Sequence, residues 1–125
     1  MPLLLPNSQA LRDALAQTDR LLVACFCAAW CDTCQQYRIK LEALARARPE
    51  LVFVWIDIED HPDLLGDEDV ENFPTLLVQA PDRIRFYGTM LPHIGHLERL
   101  LDSLSTDAPP IQTGLPDVRG LLAGA

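Results

Sequence analysis

The chain has 125 residues, of which 49% are hydrophobic and 22% charged, and its net charge is −8 at neutral pH. This length is typical of one domain, and the composition of a globular core excludes wholesale disorder. No apolar run approaches the ~18 residues that cross a bilayer, and residues 1–6 lack the basic region of a secretory signal. We therefore expect a cytoplasmic protein with no membrane partner. The negative charge also argues against a nucleic-acid partner, because phosphates attract lysine and arginine.

The negative charge is concentrated in one acidic segment. Residues 57–71 contain no lysine or arginine, while the rest of the chain is neutral, with ten acids and ten bases. The eight acids of the segment are Asp57, Glu59, Asp60, Asp63, Asp67, Glu68, Asp69 and Glu71. Such a run is usually a solvated face or a flexible loop. If part of it borders an active site, its field would favour basic partners.

The first half of the chain alternates helix and strand. Ser8 is a plausible N-cap for a helix on which Leu11 and Leu15 share one face. Residues 21–27 form an apolar run of strand length, which is typical of a strand buried on both faces. A helical pattern follows, with apolar residues spaced i, i+4, i+7 and i+8, and residues 51–57 predict a second buried strand.

The second half predicts a short helix, two strands and a last helix. The short helix is expected near residues 63–69, inside the acidic segment. Residues 75–79 and 84–87 predict two strands joined by a turn, with Gly88 ending the second strand. A helix with a leucine stripe follows Pro92.

This order of elements predicts an α/β fold. The first strands need crossovers and should run parallel, whereas the last two can form an antiparallel hairpin. We expect a mixed central sheet flanked by helices on both faces. We assign residues 1–104 to one domain and residues 105–125 to a Pro/Gly-containing C-terminal tail, which we expect to pack loosely or to be partly disordered.

The chemistry of the chain is concentrated at Trp30, Cys31, Asp32, Thr33 and Cys34. A strand ends just before them and a helix starts near Cys31, so this C-x-x-C pair lies on a first helical turn. The unpaired N–H groups and the dipole of a helix N-terminus stabilise a thiolate. Cys31 would attack a substrate disulfide, and the more shielded Cys34 would resolve the mixed disulfide. This exchange needs no cofactor.

Other interpretations of the cysteines stay open at this stage. A lone C-x-x-C also occurs as half of a zinc site or as two core cysteines. A metal site from all four cysteines, Cys25, Cys27, Cys31 and Cys34, would lack the two separated knuckles of common structural zinc sites, and we expect no metal. A structural disulfide is not typical of a cytosolic protein.

The motif and its surroundings resemble the thioredoxin family. Trp30, Cys31 and Cys34 follow an apolar strand, and about forty residues later Pro74 and Thr75 open another strand. The resemblance extends over most of the chain. It implies a thioredoxin fold and a thiol–disulfide oxidoreductase.

The resemblance also assigns roles to single residues. It implies that Cys31 is the nucleophile, Cys34 the resolving thiol and Trp30 a flanking aromatic platform. Pro74 would be a cis-proline lying against the active-site disulfide. A substrate peptide would lie extended along residues 73–75, bound by backbone hydrogen bonds. The residues expected to bind substrate or support the dithiol are Trp30, Asp32, Thr33, Phe73, Pro74 and Thr75.

The chain departs from the family pattern around this motif. Asp32 and Thr33 stand where thioredoxins typically have Gly-Pro, and the charge of Asp32 suits the helix dipole but opposes a neighbouring thiolate. Cys27 replaces a common tryptophan. Cys25 replaces a buried aspartate that assists proton transfer, and Phe53 replaces the lysine that pairs with that aspartate. We interpret Cys25 as a small core residue; the alternative is an auxiliary thiol, a role also open to Cys27.

The sequence thus predicts an enzyme that reduces or exchanges disulfides in protein substrates through the Cys31 and Cys34 dithiol. Basic substrates are expected if the acidic segment borders the site. We expect a monomer that uses no cofactor and receives electrons from an unidentified reductase or other donor. The alternative is a low-turnover binding module with the thioredoxin fold, or a dedicated redox partner of one protein.

Overall fold

Helices and strands alternate along this computed structural model, which describes residues 3–16, 20–68, 70, 72–104, 111 and 113–123. The strands begin and end within two residues of their predicted bounds. No helix in these ranges is long and apolar enough to cross a membrane. In chain order the elements are α1 (Gln9–Ala16), β1 (Leu22–Cys27), α2 (Asp32–Ala47), β2 (Val52–Asp57), a 3₁₀ helix (Pro62–Leu64), β3 (Thr75–Gln79), β4 (Ile84–Thr89), α3 (Ile94–Ser103) and α4 (Val118–Leu122).

The strands form a mixed sheet in the order β2-β1-β3-β4. β1 runs parallel to β2 and antiparallel to β3, and β3 runs antiparallel to β4. The parallel pair requires a crossover, which α2 supplies, whereas a short turn is enough to join β3 to β4. The predicted mixed sheet is therefore confirmed. Its register places Cys27 beside Asp57, at the edge where β1 and β2 both end.

A separate core lies on each face of the sheet, because successive side chains of a strand point to opposite faces. On one face, α2 and α3 cover Cys25 and Cys27 of β1. On the other face, α1 and α4 cover Ala24 and Phe26 of the same strand. All six residues of β1 are consequently buried, which explains its continuous apolar sequence. Helices on both faces are confirmed.

Local contacts explain where α1 begins and where β4 ends. The Ser8 hydroxyl accepts a hydrogen bond from the Leu11 N–H at 3.2 Å, which confirms Ser8 as the N-cap of α1. Gly88 does not end β4, contrary to prediction. It pairs with Leu76 of β3, and the strand continues to Thr89 because the ladder with β3 continues.

The acidic segment folds back onto the C-terminal part of the chain. The helix predicted near residues 63–69 is only a 3₁₀ turn, because Gly66 has a φ of 57° and directs the chain out of the helix. A Cβ at Gly66 would lie 2.8 Å from the backbone oxygen of Gly114, so this close approach requires glycine. The Asp67 N–H donates to that oxygen at 3.1 Å, and the Gly114 N–H donates to Glu68 Oε2 at 2.6 Å.

The C-terminal segment packs against the domain. Val118 and Leu122 of α4 are buried in the same core as α1. The Arg119 guanidinium donates to two backbone oxygens, at 2.7 and 3.3 Å. Loose packing of the predicted tail is therefore wrong for residues 113–123, because α4 buries Val118 and Leu122 in the core on the α1 face of the sheet. Residues 105–110, 112, 124 and 125 lie outside the described residues, and the domain boundary stays a prediction.

Candidate active site at the start of helix α2

The C-x-x-C motif lies where β1 leads into α2. Cys31 is the N-cap residue of α2, with extended backbone and a partly exposed side chain. Cys34, on the first turn, is fully buried. The Cys31 N–H donates to Ala28 O at 3.1 Å, and the Ala29 N–H donates to Asp57 Oδ2 at 3.0 Å. These bonds hold the loop between β1 and α2 and place the motif at a helix start, as predicted.

Cys34 forms a disulfide bond with Cys27, and the thiol of Cys31 is free. This pairing differs from the Cys31–Cys34 bond that the motif implies, and it contradicts the expectation that the chain has no structural disulfide. The reason is the direction of the two side chains. β1 points Cys27 toward α2, and the buried Cys34 points back toward the sheet, so that their Cα atoms are 5.8 Å apart. The Ala28 N–H also donates to Cys34 Sγ at 3.4 Å.

Cys25 is a fully buried free thiol. Its sulfur lies 3.9 Å from Cys27 Sγ, on the same face of β1. Burial raises the pKa of Cys25 far above its ordinary value, because the apolar surroundings disfavour a thiolate. Phe53 belongs to the same core cluster, so the positions of the family's buried ion pair are both occupied by uncharged side chains. This environment supports the interpretation of Cys25 as a small core residue.

Two aromatic side chains flank the motif. Trp30 is 66% exposed, and its ring meets the Phe73 ring edge-on with 5.7 Å between the centroids. Phe73 immediately precedes Pro74, and the peptide bond between them is cis, as the resemblance implies. The structure thus brings the predicted aromatic platform together with the predicted proline loop.

Only part of the proline loop has backbone groups available for a peptide. Pro74 O accepts a hydrogen bond from the Met90 N–H at 3.0 Å. Thr75 pairs with Phe26 in β1 and with Thr89 in β4. Because both residues are engaged within the protein, a peptide binding along residues 73–75 would have to rely on the backbone of Phe73.

The beginning of the acidic segment borders the motif. Glu59 Oε1 accepts a hydrogen bond from the Trp30 indole N–H at 2.6 Å. Asp57 accepts hydrogen bonds from the N–H groups of Ala29 and Glu59, at 3.0 and 2.9 Å. The sequence reasoning did not single out Asp57 as a site residue. The available signal was its place at the end of the strand that runs parallel to β1, since the ends of parallel strands meet at one edge.

A pocket of about 360 Å³ lies beside this edge, between Ala29 of the motif loop and the side chains of Trp55, Asp57 and Asp60. The Arg38 guanidinium lies over the Trp55 ring, 5.2 Å from its centroid. Within the described ranges, no three histidine, cysteine, aspartate or glutamate side chains are placed to hold a metal ion. The pocket thus adds the carboxylates of Asp57 and Asp60 and the guanidinium of Arg38 to the surroundings of the motif.

The two residues between the cysteines face different surroundings. Asp32 is exposed, whereas Thr33 lines a cavity of about 210 Å³ together with Tyr37 and His93. The Tyr37 hydroxyl is buried and has no hydrogen-bond partner among the described residues. Burial, and to a smaller extent the neighbouring Cys25, raise the pKa of Tyr37. Asp32 is thus the more exposed of the two.

The thioredoxin family model matches residues 3–92 of the chain. The chain belongs to the thioredoxin family. Thioredoxin of Echinococcus granulosus is 35% identical over 66 residues, which are 53% of this chain and 62% of that protein. Mitochondrial thioredoxin-3 of Saccharomyces cerevisiae is 31% identical over 74 residues, 59% of this chain and 58% of that protein. The chain thus matches less than two thirds of the length of these curated relatives.

Solved thioredoxin structures share the fold. Oxidised mitochondrial thioredoxin 3 from Saccharomyces cerevisiae superposes with a TM-score of 0.65 and 25% identity, over 82% of this chain and 95% of that one. Fasciola hepatica thioredoxin gives a TM-score of 0.67 and 22% identity, over 80% and 97% of the two chains. The predicted thioredoxin fold is confirmed.

Proposed function

We propose that this thioredoxin-family chain is a thiol–disulfide oxidoreductase that reduces or exchanges disulfides in protein substrates. The observation that carries the proposal is the free, partly exposed thiol of Cys31 at the start of α2, one helical turn from the buried Cys34. Cys31 lies at a helix N-terminus, where unpaired N–H groups stabilise a thiolate. The aromatic pair of Trp30 and Phe73 beside it offers a surface for a peptide.

The reaction uses only thiols and disulfides. The Cys31 thiolate attacks one sulfur of the substrate disulfide and forms a mixed disulfide, and the other substrate sulfur leaves as a thiolate that takes up a proton. The reduced Cys34, as a thiolate, then attacks Cys31 Sγ and releases the second substrate thiol. Two electrons pass to the substrate, and a disulfide stays on the enzyme. A reductase or another electron donor would restore the dithiol.

Basic protein substrates fit this site best. Glu59 touches Trp30, and Asp60 lines the pocket on the same side of the motif. A field of one sign raises the encounter rate with partners of opposite charge. We further propose that the protein works as a monomer in the cytoplasm, which is consistent with a composition rich in acidic residues.

One observation favours a second candidate function. Cys34 is bonded to Cys27, so an oxidised chain of this form has no resolving thiol left for Cys31. Such a chain would hold a partner on Cys31 as a mixed disulfide instead of releasing it. A low-turnover binding module, or a dedicated redox partner of one protein, is the function that this state would serve.

The test is insulin reduction with dithiothreitol as electron donor. We expect the wild type to accelerate precipitation of the insulin B chain, and Cys31→Ser to lower the rate to that of dithiothreitol alone. Ala43→Ser is the matched control, because it places a hydroxymethyl group on an exposed position of the same helix. Wild-type activity in Cys31→Ser would overturn the proposal. A wild type that shows only the background rate, yet forms a stable mixed disulfide through Cys31, would support the second candidate.

A further inference from the structure

All four cysteines of the chain lie in one cluster of side chains. Cys25, Cys27 and Cys34 are buried members of the core on the α2 face, and the partly buried Cys31 packs against them. Cys27 is bonded to Cys34, and Cys25 Sγ lies 3.9 Å from Cys27 Sγ. The established family pattern accounts for Cys31 and Cys34 only. The family pattern therefore does not explain why Cys27 is bonded to Cys34.

Cys34 can be reached by two different partners. Cys31 precedes it by three residues at the start of α2, within the reach of a disulfide. Cys27 approaches it from the sheet, with 5.8 Å between the Cα atoms. The first partner is partly exposed and the second is fully buried. Cys34 Sγ can thus pair with an outer cysteine, Cys31, or with an inner one, Cys27.

We propose that Cys27 is a third catalytic cysteine. After the substrate has been reduced, Cys27 replaces Cys31 as the disulfide partner of Cys34. This inference rests on the proposed oxidoreductase function. The oxidising equivalents then end in the buried Cys27–Cys34 disulfide, and Cys31 regains a free thiol at the surface. The structure corresponds to this final state.

The step is an exchange within the protein. The Cys27 thiolate attacks Cys34 Sγ in the Cys31–Cys34 disulfide, so the Cys27–Cys34 bond forms and the Cys31–Cys34 bond breaks. Cys31 leaves as a thiolate at the helix N-terminus, where negative charge is favoured. The proton lost by Cys27 is matched by the proton that Cys31 takes up. No electrons enter or leave, so the exchange needs no external oxidant or reductant.

Cys25 supports the inner sulfur without taking part in the exchange. Its S–H lies within hydrogen-bond reach of Cys27 Sγ, where it can donate to the Cys27 thiolate. Burial raises the pKa of Cys25 and keeps its S–H in place, and this S–H is the donor that offsets the equal burial of a Cys27 thiolate. Cys25→Ala therefore serves as the comparison for Cys27→Ala: it removes a buried thiol on the same face of the strand, which should slow the exchange without preventing it.

The experiment maps the disulfide during oxidation. The reduced wild type is treated with one equivalent of diamide, samples are quenched in acid at increasing times, and free thiols are alkylated in denaturant. After reduction, the remaining thiols receive a second, isotopically distinct label. Trypsin releases residues 21–38, which contain all four cysteines, as one peptide. Fragmentation of this peptide then assigns a label to each cysteine.

We expect a Cys31–Cys34 pair that appears first and is replaced by a Cys27–Cys34 pair, with Cys31 carrying the first label at the end. Cys27→Ala should stop at the Cys31–Cys34 pair, and Cys25→Ala should still reach the Cys27–Cys34 pair, but more slowly than the wild type. In Cys31→Ser, the Cys27–Cys34 pair should form much more slowly, because the outer thiol that starts the reaction is missing.

Two results would overturn the inference. One is a final wild-type state in which Cys31 and Cys34 stay paired while Cys27 remains alkylatable. The other is a Cys31→Ser variant that forms the Cys27–Cys34 pair at the wild-type rate. Because diamide is a small oxidant, this mapping does not depend on insulin reduction. Failure of the exchange is therefore distinguishable from failure of the proposed function, and the wild-type result requires no variant to fold.

Discussion

On one side of the sheet, β1 presents Cys25 and Cys27 to a helix that carries Cys34. On the other side, the same strand presents Ala24 and Phe26 to the leucine-rich helices α1 and α4. Both sides are buried, and the residues alternate one by one along a six-residue strand. The two faces nevertheless differ in chemistry, because only one of them collects sulfur atoms.

The difference shows that the burial of a residue in β1 and its chemical reactivity have different structural causes. Burial comes from the helices that cover each face, whereas the reactive groups depend on which of the alternating positions faces α2. Substitutions on the α1 face should therefore change the free energy of unfolding and leave the redox chemistry of the folded molecules intact. Substitutions on the α2 face should change the chemistry or its pH dependence.

Phe26→Ala should give the largest loss of stability. Phe26 is fully buried on the α1 face and meets the Tyr87 ring edge-on, with 6.3 Å between the centroids. Removing the ring leaves a cavity and should lower the free energy of unfolding by about 3–5 kcal/mol in urea titrations. Phe26→Leu, which keeps much of the volume, should cost less than about 1.5 kcal/mol. Insulin reduction per folded molecule should stay at the wild-type value; a loss there would mean that the two faces are not independent.

Leu122→Ala should destabilise the protein by an amount near the lower end of about 2–5 kcal/mol. Leu122 is 3% exposed and belongs to the core on the α1 face, whereas its neighbour Leu121 is 44% exposed. Leu121→Ala is the control and should stay within about 0.5 kcal/mol of the wild type. Urea titrations of the two variants provide the comparison. Equal midpoints would show that α4 does not contribute to the fold.

Cys25 should make the oxidised protein lose stability in alkali. The unfolded chain releases the Cys25 proton above a pH of about 8.5, whereas burial raises the pKa of Cys25 in the folded state and keeps the proton bound. Cys25 therefore does not lower the free energy of unfolding below that pH. As the pH rises above it, the free energy of unfolding falls, by about 2 kcal/mol at pH 10. Urea titrations from pH 7 to pH 10 should show a shallower decrease for Cys25→Ala. Parallel curves for the two proteins would contradict the buried-thiol assignment.

Glu59→Gln should have the smallest effect, on substrate choice. The amide can still accept the hydrogen bond from the Trp30 indole, but one negative charge beside the motif is lost. We expect the ratio of reduction rates for a cationic and an anionic disulfide peptide to fall by a factor of about two to three at low salt, and the change to shrink as salt is added. Asp13→Asn on α1, on the other side of the sheet, should leave the ratio unchanged. An unchanged ratio in Glu59→Gln would place the substrate away from this side chain.

Much of the fold and part of the site could be predicted from the sequence. The strands were located because their apolar runs are bounded by proline, glycine and charged residues, and the C-x-x-C pair was located because it follows such a run. The 3₁₀ turn was predicted too long, since the left-handed backbone of Gly66 depends on its contact with Gly114. Helix α4 was missed because five residues carry little intrinsic helix stability, and its packing supplies the rest.

The sequence by itself determined the family, the order of the elements and the identity of the four cysteines. Only the tertiary structure decided which cysteine is bonded to Cys34. Spacing along the chain favours Cys31, which is three residues away. The bond with Cys27 depends on how closely α2 packs on β1. That distance is set by the side chains of α2 and of the sheet, which pack together in one core. A local pattern reports short-range geometry, whereas a pairing between a strand and the helix that covers it is fixed by packing.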